Sequence, residues 1–509
     1  MPQPTVTRRR AQPMRPIRPD EFGYDQGRHL LWRAGFGGTP AQVQTLVRWG
    51  PEEAVGYLLD VEKVPFESPD ADLFDRDIIR PPTAAERAQA AEARRRRDED
   101  ALARIRAARQ EAQRTDRRQI RDVQRWWLTR MIETPRPLEE KMTLFWHGHF
   151  ATSYRTIENS YHMYLQNQLF RRHALGSYAE LMYQIIRDPA MIAYLDNNDS
   201  RRDRPNENLA RELMELFSLG VGAYGEQDIK EGARALTGYT FRDDAFYFDE
   251  RNHDPNPKRI LGRSGPMDGD GFVSAILEHP ACGRFMARKL YRYFVADLPD
   301  RDDDIDPETR EVLDRMASTF RRNRYQIRPV LRELMLSEHF YDDRIMAQQI
   351  KSPAQLVVGA VRSLLVPVRD LGVLLEAMDL MGQNLMMPPS VKGWDGGRAW
   401  INTSTLFVRQ NTLSFLLTGR KPGGYDALAA QETYDPQPAL AELERASPGA
   451  LRDPDRLIDY LLRFMLGRAP DHAQRTLHEF VRANGNDIST DMTIGLMLLI
   501  TAMPEYQLC

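Results

Sequence analysis

The chain's patterning predicts an all-α protein: one large multi-helix domain, an inserted charged helical arm and a small helical C-terminal subdomain. Apolar residues recur at three- and four-residue intervals along most of the 509 residues, which places them on one face of a helix. Strand-like alternation is limited to short runs such as Ala245 to Asp249. Helix punctuation is frequent, as at Thr39-Pro40, an N-cap residue followed by the proline that the first helical position tolerates.

Residues 1–19 hold Arg8-Arg9-Arg10 and several prolines with no apolar segment after them, the composition of a disordered basic tail. The main domain is expected over 20–416. In it a helix ends at the glycines around Phe36, and Leu46, Val47, Ala54, Leu58 and Leu59 keep helical spacing beyond Pro40. Residues 83–125 are dense in Arg, Glu, Asp, Gln and Ala. They predict a solvated helical arm held by ion pairs four residues apart, with a basic stripe for an anionic partner as the alternative. Trp126-Trp127 marks its return to the core. Amphipathic helices follow at 282–296 and 327–337. Gly, Pro and polar residues make 417–436 a linker. Residues 437–509 form the small helical unit, with Leu457, Tyr460, Leu461, Phe464 and Met465 on one face and a buried closing helix over 492–503.

Composition excludes several classes. Apolar residues are 42% and charged residues 28% of the chain, ordinary for a globular protein. No apolar run reaches the roughly 18 residues that a membrane span needs. A formal charge of −3 argues against nucleic-acid binding by bulk electrostatics. Cys282 and Cys509 are the only cysteines, so there is no disulfide framework, though a single bridge is open. With no signal peptide in view, the cytoplasm is the default compartment, with export left open.

Chemistry concentrates in four segments. Phe145-Trp-His-Gly-His-Phe150 sets two imidazoles two residues apart where a helix over 138–146 runs into a glycine. From such a kink His147 and His149 can converge on one metal ion, and imidazole suits zinc, copper or iron. One buried histidine and one helix-capping histidine explain the same letters. In Asn206 to Gly220, Leu209, Leu213, Leu216 and Phe217 form the core stripe, with Asn208, Glu212 and Glu215 along its flank. Two flanking carboxylates suit a metal or general acid/base work, one with a raised pKa. For Glu215 an ion-pair ladder through Glu207 and Arg211 is the competing account. His253 beside Asp254 sits in a proline-broken loop, as an oriented ligand, a general base or a surface turn. Finally, Pro388 to Asn402 presents Lys392, Trp394, Asp395, Arg398 and Asn402 as a pocket rim, or else plugs a long loop with tryptophan.

His29 to Phe36, Lys141 to Thr152, Tyr194 to Asn197, Asn206 to Phe241, the His253-Asp254 loop, Ala281 to Phe294 and Val391 to Asn411 together resemble the family called domain of unknown function 1800. The likeness runs over nearly the whole chain in the family's order, and Met503 to Cys509 is similar to the closing segment of many bacterial members. The resemblance implies a largely helical bacterial protein, often encoded beside a protein related to alkaline phosphatases and sulfatases, with no assigned reaction. Many members have a histidine where this chain has Phe217, which removes one candidate ligand.

Two functions follow. The first is a metal-dependent enzyme, hydrolase ahead of oxidoreductase, with His147, His149, Glu212, Glu215 and His253 around one divalent ion, and Glu212, Glu215 and His253 in catalytic roles. The second is a non-catalytic helical scaffold or maturation partner that grips a phosphatase/sulfatase-like protein. A serine nucleophile elbow, a Walker loop and a dinucleotide fingerprint are all missing.

Overall fold

The computed structural model describes residues 14–67, 74–420 and 434–509. Among them helices dominate, and strands occur only in two small antiparallel hairpins. In one, β1 (Tyr239–Arg242) pairs with β2 (Ala245–Phe248), and in the other β3 (Lys258–Ile260) pairs with β4 (Arg263–Gly265). The expected strand at Ala245 is therefore present, in a hairpin tip whose aromatic side chains are half-buried.

Two apolar cores organise the helices. The first collects Leu30, Trp146, Phe150, Tyr178, Leu213, Phe217, Phe272, Leu290, Phe320 and Leu334 from helices between Tyr24 and Met335. The second joins Trp127, Val357, Met378 and Leu416 to Leu461, Leu477 and Leu496 of the C-terminal helices. Those C-terminal helices are Gln437–Ala446, Pro454–Leu466, Asp471–Ala483 and Thr490–Thr501. Between the cores runs helix Pro137–His149, which is buried on nearly every side. It gives Leu138, Met142 and Trp146 to the first core and Leu144 to the second.

Buried cations knot distant segments to it. The Glu140 carboxylate, fully buried, accepts from Trp127 Nε1 at 3.0 Å, from Arg171 Nε at 2.7 Å and from Arg130. An acid so deep is tolerable only with this degree of pairing. Arg28 donates to the carbonyls of Phe464 and Met465, tying the first helix to the C-terminal unit.

The charged segment forms a helical hairpin. Helix Ala84–Arg96 is capped by Thr83 and turned back at Arg97, which has left-handed backbone, and Glu99–Glu133 returns alongside it. Side chains stay solvent-facing up to about Thr115, and burial begins at Asp116 and is complete by Trp127. Trp126-Trp127 is thus where the arm meets the body.

The expected 1–19 tail lies outside the described residues up to 13. Beyond that the chain is pinned, because Ile17 is buried and its N–H donates to Leu336 O at 2.7 Å. Most of the expected 417–436 linker also lies outside the described residues, after helix Thr403–Thr418. Cys282 and Cys509 are both buried and free, so they form no bridge. Among the described residues no helix is long and apolar enough to cross a membrane.

Candidate functional site at Gly148

The helix carrying the two histidines does not end before the glycine. It runs from Pro137 through Gly148 to His149, and Phe150 closes it by donating its N–H to Trp146 O at 2.8 Å. Residues two apart on a helix point about 200° apart, so the rings leave opposite sides. This corrects the expected kink and the expected convergence of His147 and His149.

Each histidine has its own surroundings. His147 packs tilted against Trp127 at 4.6 Å and meets Phe170 edge-on, and its Nε2 accepts from the Asn167 amide at 3.0 Å. Burial, then the nearby Arg171 charge, brings its pKa down to about 3. It is a neutral core histidine. His149 Nε2 lies 2.9 Å from Phe217 O. A carbonyl only accepts, so Nε2 carries the proton and Nδ1 keeps a lone pair. That Nδ1 is buried and has no hydrogen-bond partner. Burial, then Lys289, holds the ring's pKa well below 6.5.

Glu212 and Glu215 reach the region from helix Asn208–Glu215, which starts two residues later than the sequence suggested. Leu209 and Leu213 anchor its core face, while Phe217 follows it as a fully buried plug 6.0 Å from His149. The ion-pair ladder is half right. Arg211 pairs with Glu207 at 3.1 Å and with Glu226 at 3.1 Å, but Glu215 instead accepts from Tyr224 Oη at 2.8 Å. Glu212 is held above the ordinary carboxylate range by its burial and by the charge of Glu215, with Arg211 and Lys392 pulling the other way. Tyr194 also faces it, and burial followed by the Glu212 charge raises the phenol's pKa.

The loop 388–402 closes over the helix end. Gly393 has φ +85°, and a Cβ there would lie 2.1 Å from Gly148 O. Only glycine admits so close a backbone approach. A methyl on Gly148 itself would stand 3.5 Å from the Trp394 ring, in ordinary contact. Trp394 Nε1 is buried without a partner. Lys392 is exposed beside Glu212, whereas Asp395 and Arg398 are exposed in the turn beyond. Asn402 is a correction to the proposed rim, since its side chain caps helix Thr403–Thr418 by accepting from Thr405 N at 2.9 Å. Asn208, exposed at the start of its helix, precedes Glu212 by one turn.

His253 belongs elsewhere. Its Nδ1 donates to Thr237 O at 2.8 Å, its ring packs on Phe248, and neighbouring Asp254 is claimed by Arg234 at 2.7 Å. Among the described residues, no three His, Cys, Asp or Glu side chains form a group that could hold a metal ion.

Sequence reasoning missed Lys289. It comes from helix Pro280–Phe294, with its Nζ 5.3 Å from the Phe285 ring, and Phe285 in turn faces His149 at 6.2 Å. Burial, then Arg292, brings its pKa down to about 8. Tyr194 and Tyr224 were missed as well. The i,i+4 pair of Phe285 and Lys289 was the only available signal, and it reads as ordinary amphipathicity.

The family described as "Protein of unknown function (DUF1800)" matches residues 29–508. The chain belongs to this family. No curated protein and no solved structure matches it. Within this DUF1800 chain four of the seven segments that carried the resemblance meet around Gly148: the helix end, the Glu212 helix, the Lys289 helix and the Trp394 loop.

Proposed function

We propose that this DUF1800 chain is an enzyme of the hydrolase class, with the residues around Gly148 as its working site. One observation supports the reading. His149 Nδ1, an acceptor, and Trp394 Nε1, a donor, are buried without partners; His149 follows Gly148 and the Trp394 ring packs over that glycine, while Lys392, two residues before Trp394, acts on Glu212. A buried polar atom left unpaired costs about 1–3 kcal/mol; others occur in the molecule, among them His29 Nε2 and Asn167 Oδ1, but a donor and an acceptor at one glycine suit a bound polar group.

In this reading Glu212 accepts the proton of an attacking water. Its raised proton affinity suits that task, because a base works best with a pKa near the operating pH. Lys392, together with Lys289 by His149, meets the negative charge that develops on the substrate. A zinc, copper or iron ion, if the enzyme uses one, would take Glu212 and Glu215 as ligands and supply Lewis acidity. His147 and His253 take no part.

The alternative is a non-catalytic scaffold or maturation partner of a phosphatase/sulfatase-like protein. It would work through the exposed hairpin 84–121 rather than through the site at Gly148.

The test is kinetic. Purified protein assayed against carboxylic and phosphate esters, with its metal content measured alongside, should turn over at least one class. Glu212→Gln should lose about a hundredfold in rate with an unchanged far-ultraviolet spectrum. A variant as fast as the parent, or no turnover by the parent, removes the enzyme reading and leaves the scaffold.

A further inference from the structure

The exposed hairpin carries a charge that the rest of the molecule does not. Between Ala84 and Arg121 there are twelve arginines, no lysine and seven acidic residues, against −3 for the whole chain. On helix Glu99–Glu133 the arginines are not scattered. At 100° per residue, Arg106, Arg114, Arg117, Arg118, Arg121 and Arg125 fall within roughly one third of the circumference, opposite the face that buries Ile120, Val123 and Trp127. All six are exposed. The row spans about 28 Å at 1.5 Å per residue.

Their own helix neutralises them only in part. Glu111 serves both Arg114 at 3.6 Å and Arg118 at 3.4 Å, Asp122 pairs with Arg125 at 2.9 Å, and Arg106 reaches Glu99 only at 3.9 Å. Among the described residues, Arg117 and Arg121 make no ion pair, Arg117 donating instead to the Gln113 carbonyl at 3.4 Å. Asp116, the acid nearest this stretch, is turned into the body, where Tyr154 and Ser160 hold it.

We propose that this arginine row is a docking surface for an acidic polypeptide, specifically a helix that carries carboxylates at three- and four-residue spacing. The inference rests on the scaffold alternative above and is independent of the site at Gly148. Charge complementarity fixes the class of occupant. Within the row Arg114, Arg118, Arg121 and Arg125 step by three or four residues, about one turn each, which matches the repeat of carboxylates along a second helix laid beside them. Glu99, Glu111 and Asp122, interleaved with the row, repel a continuous polyphosphate, yet they meet the lysines and arginines that a protein surface also carries. The chain's overall negative charge gives a nucleic acid no long-range attraction to compensate.

The probe is a synthetic alanine-based helix of about 25 residues with glutamate along one face, labelled for fluorescence anisotropy. Controls are the same peptide with glutamine, a single-stranded DNA of similar length and phosphatidylserine vesicles. The glutamate helix should bind the full-length protein, and binding should weaken as salt rises through about 0.1 M, where the screening length falls to about 10 Å. Arg114→Glu, Arg117→Glu and Arg121→Glu together should cost about tenfold or more in affinity, with an unchanged thermal midpoint. Equal binding by the triple variant, binding of the glutamine peptide, or tighter binding of DNA or vesicles overturns the proposal. Its failure is separate from that of the scaffold reading, which falls to ester turnover that depends on Glu212.

Discussion

At the scale of single residues, two histidines of one motif do different work. His147 is enclosed by Trp127, Phe170 and Asn167 and stays neutral, while His149 keeps a free lone pair beside Gly148. The sequence shows both imidazoles but not their directions, because the helix boundary decides them and a glycine in the last turn reads as a stop. The depressed pKa of His147 has a consequence with a fixed sign. Unfolded, the ring takes a proton near 6.5; folded, it resists until about 3. The unfolded state therefore binds more protons between those values. The stabilisation is complete above the unfolded pKa and is lost as pH falls through the window, on the order of 5 kcal/mol in all. Denaturant titrations at pH 7, 5 and 4 should show the decline, and His147→Gln should flatten the part due to this ring. An unchanged slope in that variant would mean that the ring is already protonated or reached by water.

At the scale of elements, patterning was legible wherever a face is either buried or wet. The helix around Leu209 and Leu213 and the turn from arm to body at Trp126-Trp127 both follow their apolar spacing. What spacing cannot show is which loop lies on which helix end. Gly393 is a case in point. Nothing in Lys392-Gly-Trp394 announces that the glycine touches the backbone of Gly148, since that contact joins residues far apart in the chain. The two glycines therefore make a contrasting pair of variants. Gly148→Ala places a methyl at ordinary distance from Trp394 inside a helix, where alanine is favoured over glycine by up to about 1 kcal/mol, so stability should hold or rise. Gly393→Ala meets both a backbone clash and a positive φ. It should unseat the Trp394 loop, lowering stability by about 1–3 kcal/mol and cutting turnover at least tenfold. Tryptophan fluorescence and thermal midpoints report the first effect, and ester assays the second. Equal behaviour of the two variants would show that the loop does not rest on the helix end.

At the scale of the whole molecule, helix Pro137–His149 is the partition between two cores, and the candidate site is where the Trp394 loop packs on its C-terminal end. The all-α class and the inserted arm were legible because composition and periodicity are local. The placement of Lys289 behind Phe285 at His149 was not, since it depends on how helix Pro280–Phe294 packs across the first core. The partition gives the most direct test of the account. With 15N-histidine labelling, the ring signals of His147 and His149 can be followed at pH 6 while inorganic phosphate or methyl phosphate, products of phosphate-ester hydrolysis whose O–H can donate to Nδ1, is added. The account predicts that His149 Nδ1 shifts and saturates while His147 stays fixed. Two rings that move together, or a His149 signal indifferent to both anions, would contradict the placement of the working site at Gly148.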